Sequence, residues 1–352
     1  MGRAGKALIM GSLLALIVSA WLLSCKQRPI TEKIKAEPLI VLPADATIVG
    51  GVEIGQFGEQ KEKPEFAEEM LAAQMKEVKE MLERIKTKAN LNLPDDLDRV
   101  VFGLSNVGPQ EPTIVALFQG RFDPAAITSA VKEEIQDYTF EEKTFDSYKY
   151  TVMESSQGDR VAFGFPVSEF AVLSSNEEAL KTALGQFTKP AKSVMDNKEI
   201  ASLLAKVDRT GIWIAGLVPA EMEESVKDVP QFAALGKLKK FSMIMNTTKG
   251  VNLELAGYCT TSDEATGVKD AVKSLLEQSK FFIGFMPQGQ ELMKLYEKIQ
   301  VTADAATAKL SFSLNEEEIK QLQETFAEMK KEMEMPEMPE PMDLPPPVEE
   351  VE

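Results

Sequence analysis

The feature that most constrains the fold of this chain is a succession of short apolar segments joined by short turns. Residues 98–104 and 113–122 form two strand candidates around a Gly-Pro turn, and residues 148–153, 160–165 and 170–174 form three more. Short connections favour antiparallel pairing, because a parallel connection needs a dozen or more residues. The sequence therefore predicts an α+β fold, with a mostly antiparallel sheet and helices packed on one face.

Polar cap residues mark where helices begin between these strands. Asp123 stands before Pro124, which suits the first position of a helix, and Asn176 stands before two glutamates and an apolar run. Asp and Asn side chains accept hydrogen bonds from the first free backbone N–H groups of a helix. Residues 64–89 form another helix candidate, with apolar residues spaced mostly three or four apart.

The second half of the chain repeats parts of the first. GIWIAGL at 211–217 stands where ATIVGGV stands at 46–52, and AKLSFSLNEEEIKQL at 308–322 matches FAVLSSNEEALKTAL at 170–184. In the later segment Asn315 takes the capping place of Asn176. We therefore predict an internal duplication of an α+β unit, with units at 39–190 and 191–327. The sequence leaves open whether the two units share one sheet.

The N-terminus has the three parts of a secretory signal. A basic start precedes an uncharged apolar run over 7–23. The last two residues of this run begin the segment Leu22-Leu23-Ser24-Cys25. These last four residues resemble the lipobox of bacterial lipoproteins. The resemblance implies cleavage between Ser24 and Cys25, and lipidation of Cys25 with two or more chains gives stable anchoring. The alternative is an uncleaved anchor, because 17 apolar residues are near the lower limit for one spanning helix.

The resemblance to lipoproteins also implies a location. In that class an Asp directly after the lipidated cysteine holds the protein at the inner membrane, and Lys26 stands here instead. The prediction is the outer membrane, with the body facing the periplasm; in a Gram-positive host it would be the outer face of the plasma membrane. The mature chain resembles uncharacterised envelope lipoproteins of this size, with no specific family.

Two flanking segments differ in composition from the folded part. Residues 25–38 are charged without periodicity, which predicts a tether between the anchor and the body. Residues 328–352 are acidic and rich in Met and Pro, which predicts a disordered tail because few residues there can form a core. The methionines at 333, 335, 338 and 342 have a Cu(I)-type spacing without any histidine, and a low-complexity linker is the preferred interpretation.

Charge and composition exclude several classes of function. The chain has 39 basic and 56 acidic residues and a net charge of −17, which would repel a phosphate backbone, so we predict no nucleic-acid partner. It has no histidine, which removes Ser-His-Asp and Cys-His catalysis and the usual near-neutral acid–base group. We predict no catalytic residues, no cofactor and no metal site.

The remaining motifs favour structural interpretations. Asp95, Asp96 and Asp98 lack the Gly and Glu of a calcium loop and suit turns and caps. Gly50-Gly51 lies in a strand candidate and suits a bulge or a close approach of backbone rather than a nucleotide loop. Cys259, with Cys25 acylated, would be the only thiol left and suits a half-buried strand end.

Adjacent acids such as Glu141-Glu142 and Glu177-Glu178 suit a solvated face. The apolar run at 281–286 is expected to pack in the core, since helical apolar periodicity usually faces one. The sequence thus predicts a non-enzymatic, lipid-anchored envelope protein that binds a partner or supports an assembly. One alternative is a carrier of an apolar ligand, such as a lipid, held between sheet and helices. Another is an enzyme with several acids in one concave pocket.

Overall fold

The computed structural model describes residues 29–54, 80–81, 83–107, 111–219, 221, 226, 232–247, 250–285, 289–322 and 324. The leader, the Ser24-Cys25 junction and the tail at 328–352 lie outside these residues, so what the sequence predicts for them stays a prediction. The same holds for most of the helix candidate at 64–89, of which residues 80–81 and 83–88 are described and helical.

Twelve strands carry the fold of the described part. They are β1 (Ile48–Glu53), β2 (Leu97–Ser105), β3 (Thr113–Gly120), β4 (Tyr138–Phe145), β5 (Tyr148–Ser155), β6 (Arg160–Val167), β7 (Phe170–Ser174), β8 (Ile212–Leu217), β9 (Lys240–Asn246), β10 (Val251–Tyr258), β11 (Gln300–Asp304) and β12 (Thr307–Leu314).

The helices of the described part lie between these strands and before β1. They are α1 (Pro29–Ala36), α2 (Leu93–Asp96), α3 (Pro124–Glu134), α4 (Glu177–Gly185), α5 (Lys198–Leu204), α6 (Ser262–Ile283) and α7 (Gly289–Tyr296). Three 3-10 turns accompany them, at Pro38–Val41, Val194–Asp196 and Ala233–Lys237. Residues 316–322 are also helical.

All twelve strands belong to one antiparallel sheet, in the order β11-β12-β10-β9-β8-β1-β2-β3-β7-β6-β5-β4. The predicted α+β class and antiparallel sheet are therefore confirmed, and the question of one sheet or two is answered by the pairing of β1 with β8. Counted outward from the centre of the sheet, the second half has the strand order β8-β9-β10-β12-β11. The first half has the corresponding order β1-β2-β3-β7-β6, followed by β5 and β4 at its edge. This correspondence concerns the topology alone, and the internal duplication stays a prediction.

The sheet has a core on each side. In β3, Val115 and Leu117 join one buried cluster, which includes α4 residues, while Ala116 and Phe118 join a second, which includes α3 residues. We call these sides the α4 face and the α3 face. The expectation that helices pack on one face is wrong, because the strands of the first half are apolar on both sides. All five residues of β7 are buried, for example, so each side needs its own cover.

The folded body begins earlier than the sequence indicated. Residues 29–36 form α1, in which Ile34 is fully buried and Ile30 packs beside it on the α4 face. Residues four apart lie on one side of a helix, and this pair anchors an otherwise charged segment. The tether expected over 25–38 is therefore wrong for the residues from Pro29 onward.

The glycines of β1 allow close packing where the two halves meet. A Cβ at Gly50 would lie 2.4 Å from the ring of Phe102, and one at Gly51 would lie 2.9 Å from the indole of Trp213. Bulky rings from the neighbouring strands therefore occupy the space above and below this strand. The predicted close approach is confirmed at both positions.

The predicted caps are present at three helix starts. The Asp123 carboxylate accepts hydrogen bonds from two backbone N–H groups of α3, at 3.0 and 3.1 Å. The Asn176 side chain does the same for α4, at 2.9 and 3.1 Å. Asn315 accepts one from Glu318 N–H at 3.0 Å, and the Glu318 carboxylate accepts one from Asn315 N–H at 2.9 Å.

Candidate functional site

The long helix α6 follows from a strong start signal and an apolar stripe. Thr261 and Glu264 form a reciprocal capping box, in which each side chain accepts a hydrogen bond from the other's backbone N–H. Ala265, Val268 and Ile283 are its buried apolar residues. The helix packs against β11, β12 and the 3-10 turn at Ala233–Lys237.

The last turn of α6 presents three phenylalanines to solvent. Phe281 and Phe282 are each 67% exposed and Phe285, just after the helix, is 75% exposed. Phe281 contacts both other rings edge to face, with centroid distances of 5.8 Å to Phe282 and 4.9 Å to Phe285. We call this group the aromatic corner. Exposed apolar side chains that cluster, rather than lie scattered, mark contact sites with proteins or membranes.

The expectation that residues 281–286 pack in the core is wrong for these three rings. Ile283 faces inward and is 9% exposed. At about 100° of helix rotation per residue, positions two before and two after it point away from the core. By the same rotation Phe282 lies about 100° from Ile283, so the three rings share the outer side of the helix. The angular spacing of these residues around the helix is the sequence feature that could have predicted their exposure.

A second apolar surface lies on the α3 face of the central strands. The register places Ile214, Met243 and Leu255 side by side in one row across β8, β9 and β10. The neighbouring row consists of Ile212, Met245 and Leu253. Five of these six side chains are half-buried and Leu255 is 38% exposed. We call the six residues the apolar patch.

One surface cleft of about 430 Å³ lies beside the start of α3 and has acidic residues in its wall. Each of these carboxylates already has a structural partner. Asp96 accepts a hydrogen bond from Asn92 N–H at 2.8 Å, Asp123 caps α3, and Glu169 pairs with Lys35 at 2.9 Å. The acids in the wall of this cleft therefore stabilise the surrounding turn, helix start and ion pair.

Another cleft, of about 300 Å³, lies on the α4 face beside Trp213. Glu37 and Arg209 form a bidentate pair there with N–O distances of 2.9 to 3.1 Å. Glu53 pairs with Arg99 across β1 and β2. Both arginines are thus matched by a carboxylate, and the cleft wall combines these ion pairs with apolar side chains.

Of the two cysteines, Cys259 lies within the described part of the structure and Cys25 lies outside it. Cys259 follows β10, is half-buried, and donates its backbone N–H to Ala306 O at 2.8 Å. Burial raises the pKa of its thiol, and the charge of Glu264 raises it further. A raised pKa reduces the thiolate fraction and hence the reactivity. Cys25 and Ser24, the predicted lipidation and cleavage residues, lie outside the described part.

The other residues singled out in the sequence have structural contacts. Asp95 and Asp96 accept hydrogen bonds from the Asn92 side chain and backbone, as the turn interpretation predicts. Glu142 pairs with Lys132 at 2.7 Å. Glu177 accepts a hydrogen bond from Tyr150 Oη at 2.8 Å and from Lys143 Nζ. Within the described ranges, no three acids, cysteines or histidines are placed to hold a metal ion.

Comparison with protein-family models, with curated proteins and with solved structures found no match to this chain. Among the helices in the described ranges, none combines the length and the apolar character needed to cross a bilayer. Any function must therefore be argued from the residues themselves.

Proposed function

We propose that this chain is a lipid-anchored protein of the bacterial envelope that acts by binding and not by catalysis. In this proposal Cys25 carries the acyl chains after cleavage at Ser24, and the body faces the periplasm from the outer membrane. The observation that carries the proposal is the leader, in which a basic start, an apolar run and a lipobox-like end follow one another.

The position of α1 supports an anchored body. Only residues 26–28 separate Cys25 from Pro29, where α1 begins, so the link spans at most about 14 Å when extended. Because Ile34 of that helix is fully buried, α1 is itself part of the body. A lipid on Cys25 would therefore hold the sheet next to the membrane surface.

The chemistry of the described side chains favours binding over catalysis. Three acids that could work as general acids or bases already have structural roles: Glu177 pairs with Lys143, Asp123 caps α3 and Glu37 pairs with Arg209. The Cys259 thiol has a raised pKa. The features that lack an internal explanation are apolar, namely the aromatic corner and the apolar patch.

Lipidation of Cys25 is tested on the full chain made in a double-membraned bacterium that is fed a palmitate analogue. We expect label in the wild-type protein and a mature N-terminal peptide that begins at Cys25. The Cys25→Ser variant should carry no label and keep its leader, whereas the control Cys259→Ser should be labelled like wild type. Label on Cys25→Ser, or an unlabelled wild-type protein, would contradict the proposal.

The location is tested by separating the two membranes on a density gradient. We expect the labelled protein in the outer-membrane fraction, and Lys26→Asp should move it to the inner-membrane fraction while it stays labelled. Wild-type protein found in the inner fraction would contradict the proposed location and leave the proposed anchor in place.

A carrier of an apolar ligand is a second candidate, and the apolar patch favours it. Met243 and Met245 supply flexible side chains of the kind that adapt to varied apolar partners. Residues 26–352, exported behind a cleavable non-lipoprotein leader and purified without detergent, would be extracted with organic solvent for mass spectrometry. A stoichiometric lipid that is lost in Leu255→Gln, but kept in the opposite-face control Glu254→Gln, would support this function. Protein free of lipid would contradict it.

A further inference from the structure

We propose that the aromatic corner is a second membrane contact. In this inference, which rests on the proposed lipid anchoring, Phe281, Phe282 and Phe285 enter the headgroup region of the bilayer that holds Cys25.

The strand directions place the corner at one end of the sheet. β1 ends at Glu53, which pairs with Arg99 near the start of β2, and Val52 pairs with Ile212 at the start of β8. We call this the upper end. β10 runs from the upper to the lower end, since its last residue, Tyr258, pairs with Lys240 at the start of β9.

The helix that follows β10 returns the chain to the upper end. β11 enters the sheet with Gln300, which pairs with Ser311 of β12, and runs downward as β10 does. With 22 residues, α6 is about 33 Å long, whereas an eight-residue strand spans about 26 Å. The C-terminus of α6, with the aromatic corner, therefore lies at the upper end.

The N-terminal helix enters the body at the same end. Lys35 pairs with Glu169, which directly precedes β7 beside the upper end of β3. Glu37 pairs with Arg209, which shortly precedes β8. The end of α1 is thus fastened to the upper end by two ion pairs.

The anchor cannot be far from these ion pairs. Six helical steps from Lys35 to Pro29 cover about 9 Å, and four extended steps from Pro29 to Cys25 add at most about 14 Å. An acylated Cys25 therefore lies within about 23 Å of the upper end. Arg209 precedes β8, three strand spacings from β12, and Glu169 precedes β7, seven spacings from it, so about 14 to 34 Å separates these ion pairs from the strand against which α6 packs. Two contacts at that separation would fix how the body stands on the membrane.

The chemistry of the corner fits a lipid interface. Aromatic rings on one side of a helix partition into the boundary between headgroups and acyl chains. The nearest described cation on the helix, Lys280, is already paired with Glu277 at 2.6 Å, and the chain carries a net charge of −17. Contact by apolar insertion does not need anionic lipid, so it should be insensitive to salt.

The test places a tryptophan in the corner of the full-length lipidated protein. Cleavage at Cys25 removes Trp21, so the mature chain holds only Trp213, which is 2% exposed and gives a constant background. Phe282→Trp protein would be reconstituted into phosphatidylcholine vesicles that contain brominated phosphatidylcholine. We expect loss of roughly half of the added fluorescence, because interfacial side chains sit about 5–10 Å into the boundary.

The control lies on the same helix. Thr266 is exposed and 16 residues earlier, about 24 Å towards the lower end, so Thr266→Trp should not be quenched. Adding Phe281→Ser and Phe285→Ser to the Phe282→Trp protein should reduce the quenching at position 282 at least about fivefold, because two of three inserting rings are lost. Raising the salt from low to high should change neither result.

Flotation of the same vesicles separates this inference from the proposed function. Protein that floats through its lipid and is quenched at position 282 supports the inference. Protein that floats without quenching at 282, or with equal quenching at 266, overturns it and leaves the anchor standing; the corner would then be assigned to a protein partner. Protein that does not float contradicts the anchoring, and the inference falls with it.

Discussion

The two halves of the sheet share the order of their first five strands from the centre outward but are covered very differently. In the first half, β7 is buried throughout and β6 is buried at six of its eight positions. In the second half, β10 has one buried residue, Ala256. Its α4 face carries Asn252 and Glu254, and its α3 face carries the apolar patch. The first half therefore has a core on both sides, and the second half leaves room for contacts with other molecules.

This difference indicates that most of the stability resides in one half and the binding surfaces in the other. Buried apolar surface is the main favourable term in folding, so the first half should hold most of the stability. Regions with fewer buried contacts open more easily and often carry binding surfaces. The aromatic corner and the apolar patch both lie in the second half, which agrees with that division.

The largest expected effect comes from a matched pair of core truncations. Phe163 in β6 is fully buried, and Phe163→Ala should cost about 3–5 kcal/mol of unfolding free energy. Phe312 in β12 is half-buried, and Phe312→Ala should cost about 1–2 kcal/mol. Urea unfolding followed by circular dichroism measures both. Equal losses would show that the second half is as tightly packed as the first.

A smaller effect is expected at the strand where the halves join. Gly50→Ala would bring a Cβ against the ring of Phe102 and within 2.9 Å of Trp213 O, so it should cost about 1–3 kcal/mol. The control Gly185→Ala, in α4, meets only the Phe145 ring at 3.8 Å and should change stability by less than about 1 kcal/mol. If Gly50→Ala lowered the unfolding free energy no more than the control does, the close packing between the halves would be refuted.

Much of the fold could be predicted because local chemistry decides it. Pairs of short apolar strands implied an antiparallel sheet, and Asp123, Asn176 and Asn315 mark helix starts by the side-chain oxygen that each provides. The glycines of β1 were correctly assigned to close packing. These features depend on neighbours in sequence or on simple sterics, which a single chain reveals.

The features that the sequence did not reveal depend on distant packing. Strand β4, YTFEEKTF, is an edge strand with no fully buried side chain, so its apolar pattern is weak. Ile34 looked like part of a tether because its burial comes from strands far along the chain. The aromatic corner followed a helical apolar pattern, and only the orientation of α6 on the sheet exposes it.

The two matching helix caps, Asn176 and Asn315, should differ in what they contribute to stability. Asn176→Ala removes two hydrogen bonds at the start of α4, which packs over the buried core, and should cost about 1 kcal/mol of global stability. Asn315→Ala removes the equivalent cap of residues 316–322, most of which are exposed. That loss should appear as local fraying, with faster amide exchange at 316–322 and unchanged global stability. Hydrogen exchange with mass spectrometry distinguishes the two, and a global loss at Asn315 would contradict the division between the halves.

The smallest expected effect is a pH dependence that should differ between the halves. The hydrogen bond from Tyr150 lowers the pKa of Glu177, and Lys143 and Lys181 lower it further. A lowered pKa in the folded state means that this carboxylate contributes stability above its unfolded pKa, near 4.5, and loses that contribution as the pH falls through the folded pKa. Glu177→Gln should therefore lower stability at neutral pH by less than about 1 kcal/mol, the range for a partly exposed pair. It should also flatten the decline of stability below about pH 5.

The matched variant for this pH dependence lies in the second half. Lys298 lowers the pKa of Glu318, but the Glu318 side chain is 26% exposed against 19% for Glu177, so water screens the pair more and Glu318→Gln should flatten the profile less. Urea unfolding at a series of pH values measures this variant and Glu177→Gln together. Equal flattening by the two would mean that the acids of the second half are as firmly held as those of the first.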